Sequence, residues 1–184
     1  MRDLIVTENI TLDGVIDATE GWFTVGNDQD QSDILEELMR QTAQCDAVLF
    51  GRVTFEEMRG YWPQQTDDET GITDDLNNTM KYVVSGTLGD PQWQNTTVLR
   101  GPLTDDIRAL KAERGKDIVT TGSITLVHEL IAQGLVDEYR LFVFPVVLGK
   151  GSRLFPDGTK IPDLHLTETR QFRSGVVLLR YRPH

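Results

Sequence analysis

A strand that stops at a glycine and passes at once into a helix leaves a chain few folds to choose from. This sequence spells that junction more than once. In DIVTTGSITLVHELI (117–131), Ile118 and Val119 open a short β-branched run suited to a buried strand. Gly122-Ser123 interrupts it, and Ile124, Leu126, Val127, Leu130 and Ile131 then recur at helical spacing. The free N–H groups and positive dipole end of such a helix suit phosphate or another anion. Gly122 can take a positive φ and let a ligand approach the backbone, and Ser123 can cap the helix or bond a phosphate oxygen. An ordinary strand-to-helix turn with a serine cap would use the same residues, so one Gly-Ser step needs company before it marks a site.

Two further strands supply it. Ala47-Val48-Leu49-Phe50 reads as a buried strand closed by Gly51-Arg52, with a short helix over about 53–59. A cation beside a helix N-terminus is mildly unfavourable for the dipole. An anionic partner for Arg52 is therefore natural, with a neighbouring carboxylate as the alternative. KYVVS (81–85) is another strand, ending in Ser85 and stopped by Gly86. In parallel sheets ligands bind beyond the carboxyl ends of the strands, where all three junctions would lie. Together they point to a nucleotide-like anion.

The rest of the chain fits the same architecture. Leu4-Ile5-Val6 begins a first strand, and Thr11-Leu12-Asp13-Gly14 turns it. Asp13 suits a turn that bonds its own backbone, and equally a contact with substrate at the cofactor edge. A loop over 17–30 holds Trp22 and Phe23, so Trp22 is either a core plug or a pocket wall. A helix capped by Ser32 or Asp33 runs to about Gln44, with Ile34, Leu35, Leu38 and Met39 on one face. Further helices are expected over 72–79 and 103–113, with a short strand over 97–99. YRLFVFPVVL (139–148) reads as a long apolar strand in which Pro145 marks a bulge or edge. A glycine-rich loop with Lys150 and Arg153 follows. Two strands, 164–172 and 176–182, turn around Ser174-Gly175 and should pair antiparallel. The expectation is one α/β domain over 1–184, three-layered, with a mostly parallel central sheet and antiparallel C-terminal strands.

Charge and composition narrow the partners. A net charge of -11 argues against DNA or RNA, which need a basic face. The single cysteine, Cys45, makes neither an intrachain disulfide nor a zinc cluster. No stretch approaches a membrane span, and MRDLIVTENI lacks the apolar core of a signal peptide, so a cytoplasmic location is expected. His128, His165 and His184 lack metal-ligand spacing, and there is no G-x-S-x-G.

Four pieces resemble a known group. Thr11-Leu12-Asp13-Gly14, with Trp22 beyond it, is similar to an [ST]-L-D-G motif. Gly51-Arg52-Val53-Thr54 is similar to G-R-x-T, and Val119-Thr120-Thr121-Gly122-Ser123 to a phosphate-binding glycine turn. Gly134-Leu135-Val136-Asp137-Glu138 with Pro145-Val146-Val147-Leu148-Gly149 is similar to G-L-V-D-E…P-x-x-L-G. In this order and spacing the chain resembles the dihydrofolate reductase-like superfamily. The likeness is greatest to the reductase domain of the bifunctional deaminase/reductase of riboflavin biosynthesis and its stand-alone relatives.

The resemblance implies an NADPH-dependent reductase, usually a homodimer, that passes hydride to a C=O or C=N bond of a small heterocycle. It resembles 5-amino-6-(5-phosphoribosylamino)uracil reductase, with pterin reduction or a non-catalytic nucleotide-binding module as alternatives. It places Gly51, Arg52 and Thr54 at the cofactor's phosphates and Ser85 near the adenosine phosphate. Gly122, Ser123 and Ile124 would hold the pyrophosphate, and Asp13 and Trp22 would border nicotinamide and substrate. The deaminase half is missing, since one cysteine cannot supply a P-C-x-x-C. Thr120 stands where the riboflavin enzymes usually have an acid, and Val146 where they often have lysine. Both argue against the riboflavin precursor itself as substrate. Ile124 replaces the basic residue of many dihydrofolate reductases, and Asp33 lies about two residues from their helix carboxylate.

Overall fold

The computed structural model describes residues 1–19, 21–24, 31–68 and 71–184. The amino-terminal half runs β1 (Leu4–Thr11), α1 (Ser32–Thr42), β2 (Cys45–Gly51), α2 (Arg52–Tyr61), α3 (Ile72–Asn78) and β3 (Met80–Val84). The remainder is β4 (Thr96–Leu99), α4 (Leu103–Ala112), β5 (Asp117–Thr120), α5 (Ile124–Ala132), β6 (Glu138–Phe144), β7 (Leu164–Gln171) and β8 (Val177–Pro183). Of the expected 17–30 loop, residues 20 and 25–30 lie outside the described residues. Trp22–Thr24 form a 3-10 turn.

All strands join one sheet in the order β4-β3-β2-β5-β1-β6-β8-β7. The first six of these are parallel, and β8 is antiparallel to both β6 and β7. The expected mixed sheet is therefore present. β6 is shorter than its apolar run, ending at Phe144 rather than continuing through Pro145 to Leu148. Proline has no N–H to give the ladder, and pairing with β8 stops at Val143–Val177.

One face of the sheet carries α4 and α5. There Leu4, Val6, Leu49 and Ile118 pack against Ile107, Leu110, Val127 and Leu130, all buried. The alternation along each strand delivers this set to one side. The other face carries α2 and α3, with Phe50, Phe55, Val83 and Trp93 in its core. Toward β6 and β8, Trp22, Phe142, Phe172 and Leu178 form a third cluster.

α1 departs from the ordinary arrangement. Its apolar face would normally pack on the core. Instead its buried residues are Glu37 and Gln41, while Leu38 and Met39 are 39% and 53% exposed. The sheet beneath it explains the inversion. Glu37 accepts from Arg40, Gln41 and, on β7, Arg170 at 2.9 Å. Beside it, Glu138 is buried against Arg140 at 2.6 Å and Arg180 at 2.7 Å. Burial alone would raise the Glu138 carboxyl, but these guanidiniums outweigh it and hold it low. A helix with leucines turned inward would leave Arg170 of β7 without its Glu37 partner.

Candidate active site

The carboxyl edge of β1, β2 and β5 opens into a cleft of about 600 Å³. It is lined by Gly51, Arg52, Val53, Thr54, Gly122, Ser123, Ile124, Thr125 and Leu126, with Glu8 and Trp22. Two helix N-termini, of α2 and α5, meet here, and neither has a side-chain cap. Their first N–H groups need acceptors, and the dipoles favour an anion.

Gly122 and Ser123 both adopt left-handed backbone, at φ 71° and 57°. That conformation is cheap for Gly122 and strained for Ser123. The expected serine cap is absent, because the Ser123 hydroxyl turns away and accepts the Gly51 N–H at 2.8 Å. It thereby fastens the β2 junction to the β5 junction. A Cβ on Gly51 would lie 2.8 Å from that hydroxyl, so the close approach requires glycine. Arg52 reaches Glu56 at 2.7 Å across an open surface. Such exposed pairs are worth roughly 0–1 kcal/mol, so a phosphate can displace the carboxylate.

Asp13 and Ser85 are not among the cleft residues. The Asp13 carboxylate accepts the Thr11 hydroxyl at 2.6 Å and the N–H groups of Gly149 at 2.7 Å and Leu148 at 3.3 Å. The Thr11 hydroxyl, followed by Gly149, holds it down to about 2. It staples the Thr11–Gly14 turn to the loop after β6. The buried Ser85 hydroxyl accepts the N–H of Leu88 at 2.9 Å, closing the turn after β3. Trp22 is placed both in the core and on the cleft wall. It is 4% exposed, stacks edge-on against Phe144, and lines the cleft.

Glu8 is the cleft residue the motifs missed. It sits in β1, 5% exposed, and accepts the Gly122 N–H at 3.0 Å. Burial pushes its carboxyl up to about 7, and only the Gly122 bond opposes the shift. The signal in the sequence was an acid inside LIVTENIT, a run otherwise suited to a buried strand.

A second groove, of about 560 Å³, lies between α1 and α2–α3. Leu35, Leu38, Phe50, Trp62, Ile72 and Leu76 wall it, and Thr7, Gln41 and Arg140 reach its floor. Met58 and Thr121 line both spaces, so the two adjoin. Among the described residues no group of three acidic, histidine or cysteine side chains could hold a metal, and no helix is long and apolar enough to cross a membrane.

Geometry of this kind, two uncapped helix N-termini and an arginine at the carboxyl edge of a parallel sheet, favours an anionic ligand. The chain belongs to the RibD C-terminal domain family, whose profile matches residues 2–178. It is 34% identical to the uncharacterized protein YyaP of Bacillus subtilis over 185 residues, covering 98% of this chain and 94% of that one. Its fold is also that of the deaminase/5-amino-6-(5-phosphoribosylamino)uracil reductase of Thermotoga maritima (TM-score 0.66, 17% identity), covering 100% of this chain and 57% of that one. Dihydrofolate reductase from Enterococcus faecalis, complexed with NADP(H), superposes at a TM-score of 0.65 with 17% identity, covering 99% and 96% of the two chains. The resemblance and the fold class read from the sequence are both present in the molecule.

Proposed function

We propose that this chain is an NADPH-dependent reductase of a small heterocyclic substrate, acting as a cytoplasmic homodimer. The observation that carries the reading is the junction of two uncapped helix N-termini at one cleft, with Arg52 beside them. The donor set fits a dinucleotide: Arg52 and Thr54 suit phosphate oxygens, and the first N–H groups of α5, from Ile124 onward, suit a pyrophosphate. Gly51, Gly122 and Ser123 shape the backbone there, and Ser85 supports the strand end behind them. When bound, the reduced cofactor supplies a hydride equivalent to a C=O or C=N bond. The protein's own tasks are orientation, exclusion of water and handling of one proton. Trp22 walls the cleft, and Asp13 fixes the turn that leads to it. Glu8, bonded at Gly122, holds a proton near neutral pH and suits the role of proton source. The adjoining groove suits the substrate.

Calorimetric titration with NADPH and NADH at two salt concentrations tests this. NADPH should bind the more tightly and weaken with salt, and Arg52→Ala should cost about tenfold in affinity. No binding of either nucleotide at millimolar concentration would overturn the reading. Oxidation of NADPH on supplying a pterin or pyrimidine separates an enzyme from a module that only binds nucleotide. Light scattering reads the dimer.

A further inference from the structure

We propose that the groove beside α1 reads the anionic oxygen edge of a flat, apolar-faced ring, with Arg140 and Thr7 as the specificity-determining pair. Arg140 is 2% exposed on β6. Its Nε donates to Glu138 at 2.6 Å, and one Nη reaches Gln44 only at 3.5 Å. The other, Nη1, has no partner among the described residues. Thr7 stands directly opposite in the β1–β6 register, and its buried hydroxyl is also without a partner. Two orphaned polar groups on paired residues, both reaching one floor, are what a ligand's oxygens would satisfy.

Charge supports the sign of that ligand. Arg40, Arg140, Arg170, Arg180 and Arg182 are linked through ion pairs to Asp3, Glu37, Glu138 and Glu168. Of these, Arg140 lines the groove, and its free Nη1 sets the sign of the ligand. Asp75 lines the same groove and interacts with Lys81, so an anionic edge is steered away from it toward the floor. The walls, with Leu38, Phe50 and Trp62 among them, suit a planar ring.

Naming this occupant a substrate rests on the reductase reading; the binding claim does not. The chain's one cysteine, Cys45, lines the groove and reports on it. The test compares naphthoate with naphthylmethanol, rings of one shape with and without the carboxylate. It reads binding by calorimetry and the rate at which iodoacetamide alkylates Cys45. Naphthoate should bind about tenfold or more tightly and slow alkylation. Arg140→Met should erase the preference and Thr7→Val should reduce it severalfold, with NADPH titrations unchanged in both. Equal binding of the two probes, failure of naphthoate to slow alkylation, or a preference that survives Arg140→Met would overturn the proposal. Should Arg140→Met not fold, Thr7→Val carries the test. Loss of NADPH binding in the unaltered protein would sink the reductase reading and leave this one standing.

Discussion

Helices α1 and α5 look alike in the sequence and behave as opposites in the molecule. Both carry apolar residues at helical spacing. α5 buries Leu126, Val127, Leu130 and Ile131 against the sheet. α1 buries Glu37 and Gln41 and turns Leu38 and Met39 toward an open groove. The difference teaches that periodicity locates an apolar face without saying where that face points. What decides it is the surface underneath: aliphatic β1 and β5 side chains under α5, arginines of β6, β7 and β8 under α1.

That contrast can be broken by substitution. The largest effect should come from the ionic side, where Glu138→Ala leaves Arg140, Arg180 and Arg182 facing a vacated carboxylate. Removing one member of a buried ion cluster costs about 3–5 kcal/mol, read as a fall in the urea midpoint. Leu130→Ala beneath α5 should cost about 2–5 kcal/mol through the cavity it leaves. Leu38→Ala on α1 should stay within about 1 kcal/mol, because the side chain is already partly solvated. Comparable losses at Leu130 and Leu38 would contradict the inverted placement of α1.

A further effect is tied to pH. The Glu8 carboxyl is raised from 4.5 to about 7 in the folded chain, so the folded state binds this proton more tightly than the unfolded one. Its contribution is therefore full below pH 4.5 and is lost as pH rises through 7, on the order of 3 kcal/mol. Glu8→Gln keeps an acceptor for Gly122 and cannot ionise. Its stability should fall less across that window than the parent's, by urea titration at stepped pH. Parallel pH profiles would contradict a buried, proton-holding Glu8. A small effect belongs to Ser123→Ala, which loses the hydroxyl that accepts Gly51 N–H and should cost about 0.5–1.5 kcal/mol.

Much of the fold was legible because its signals are local. Strand–glycine–helix junctions at Gly51 and Gly122 announced a parallel sheet, and the Ser174-Gly175 turn announced the antiparallel end. The cleft at the strand ends was legible for the same reason, since Gly51, Arg52, Thr54, Gly122, Ser123 and Ile124 sit at those junctions, whereas Asp13 and Ser85 lie outside it. The adjoining groove was not. Thr7, Gln41 and Arg140 come from three separate elements and meet only through strand order, which no short motif encodes. Ser123 was read as a helix cap or a phosphate contact because Ser before an apolar helix usually caps it. Its left-handed backbone points the hydroxyl elsewhere, toward a residue distant in sequence. Pro145 shows a milder version: its missing N–H was read as a bulge or edge within a longer strand, whereas β6 ends before it at Phe144.

The proposed function puts dinucleotide phosphates between the N-termini of α2 and α5. The direct measurement is the backbone amide NMR spectrum of the protein titrated with NADPH. The account predicts the largest shifts at Arg52, Val53 and Thr54 and at Gly122 through Thr125, with α1 and α3 little moved. Shifts centred on Leu38, Ile72 and Leu76, or none at saturating nucleotide, would contradict it.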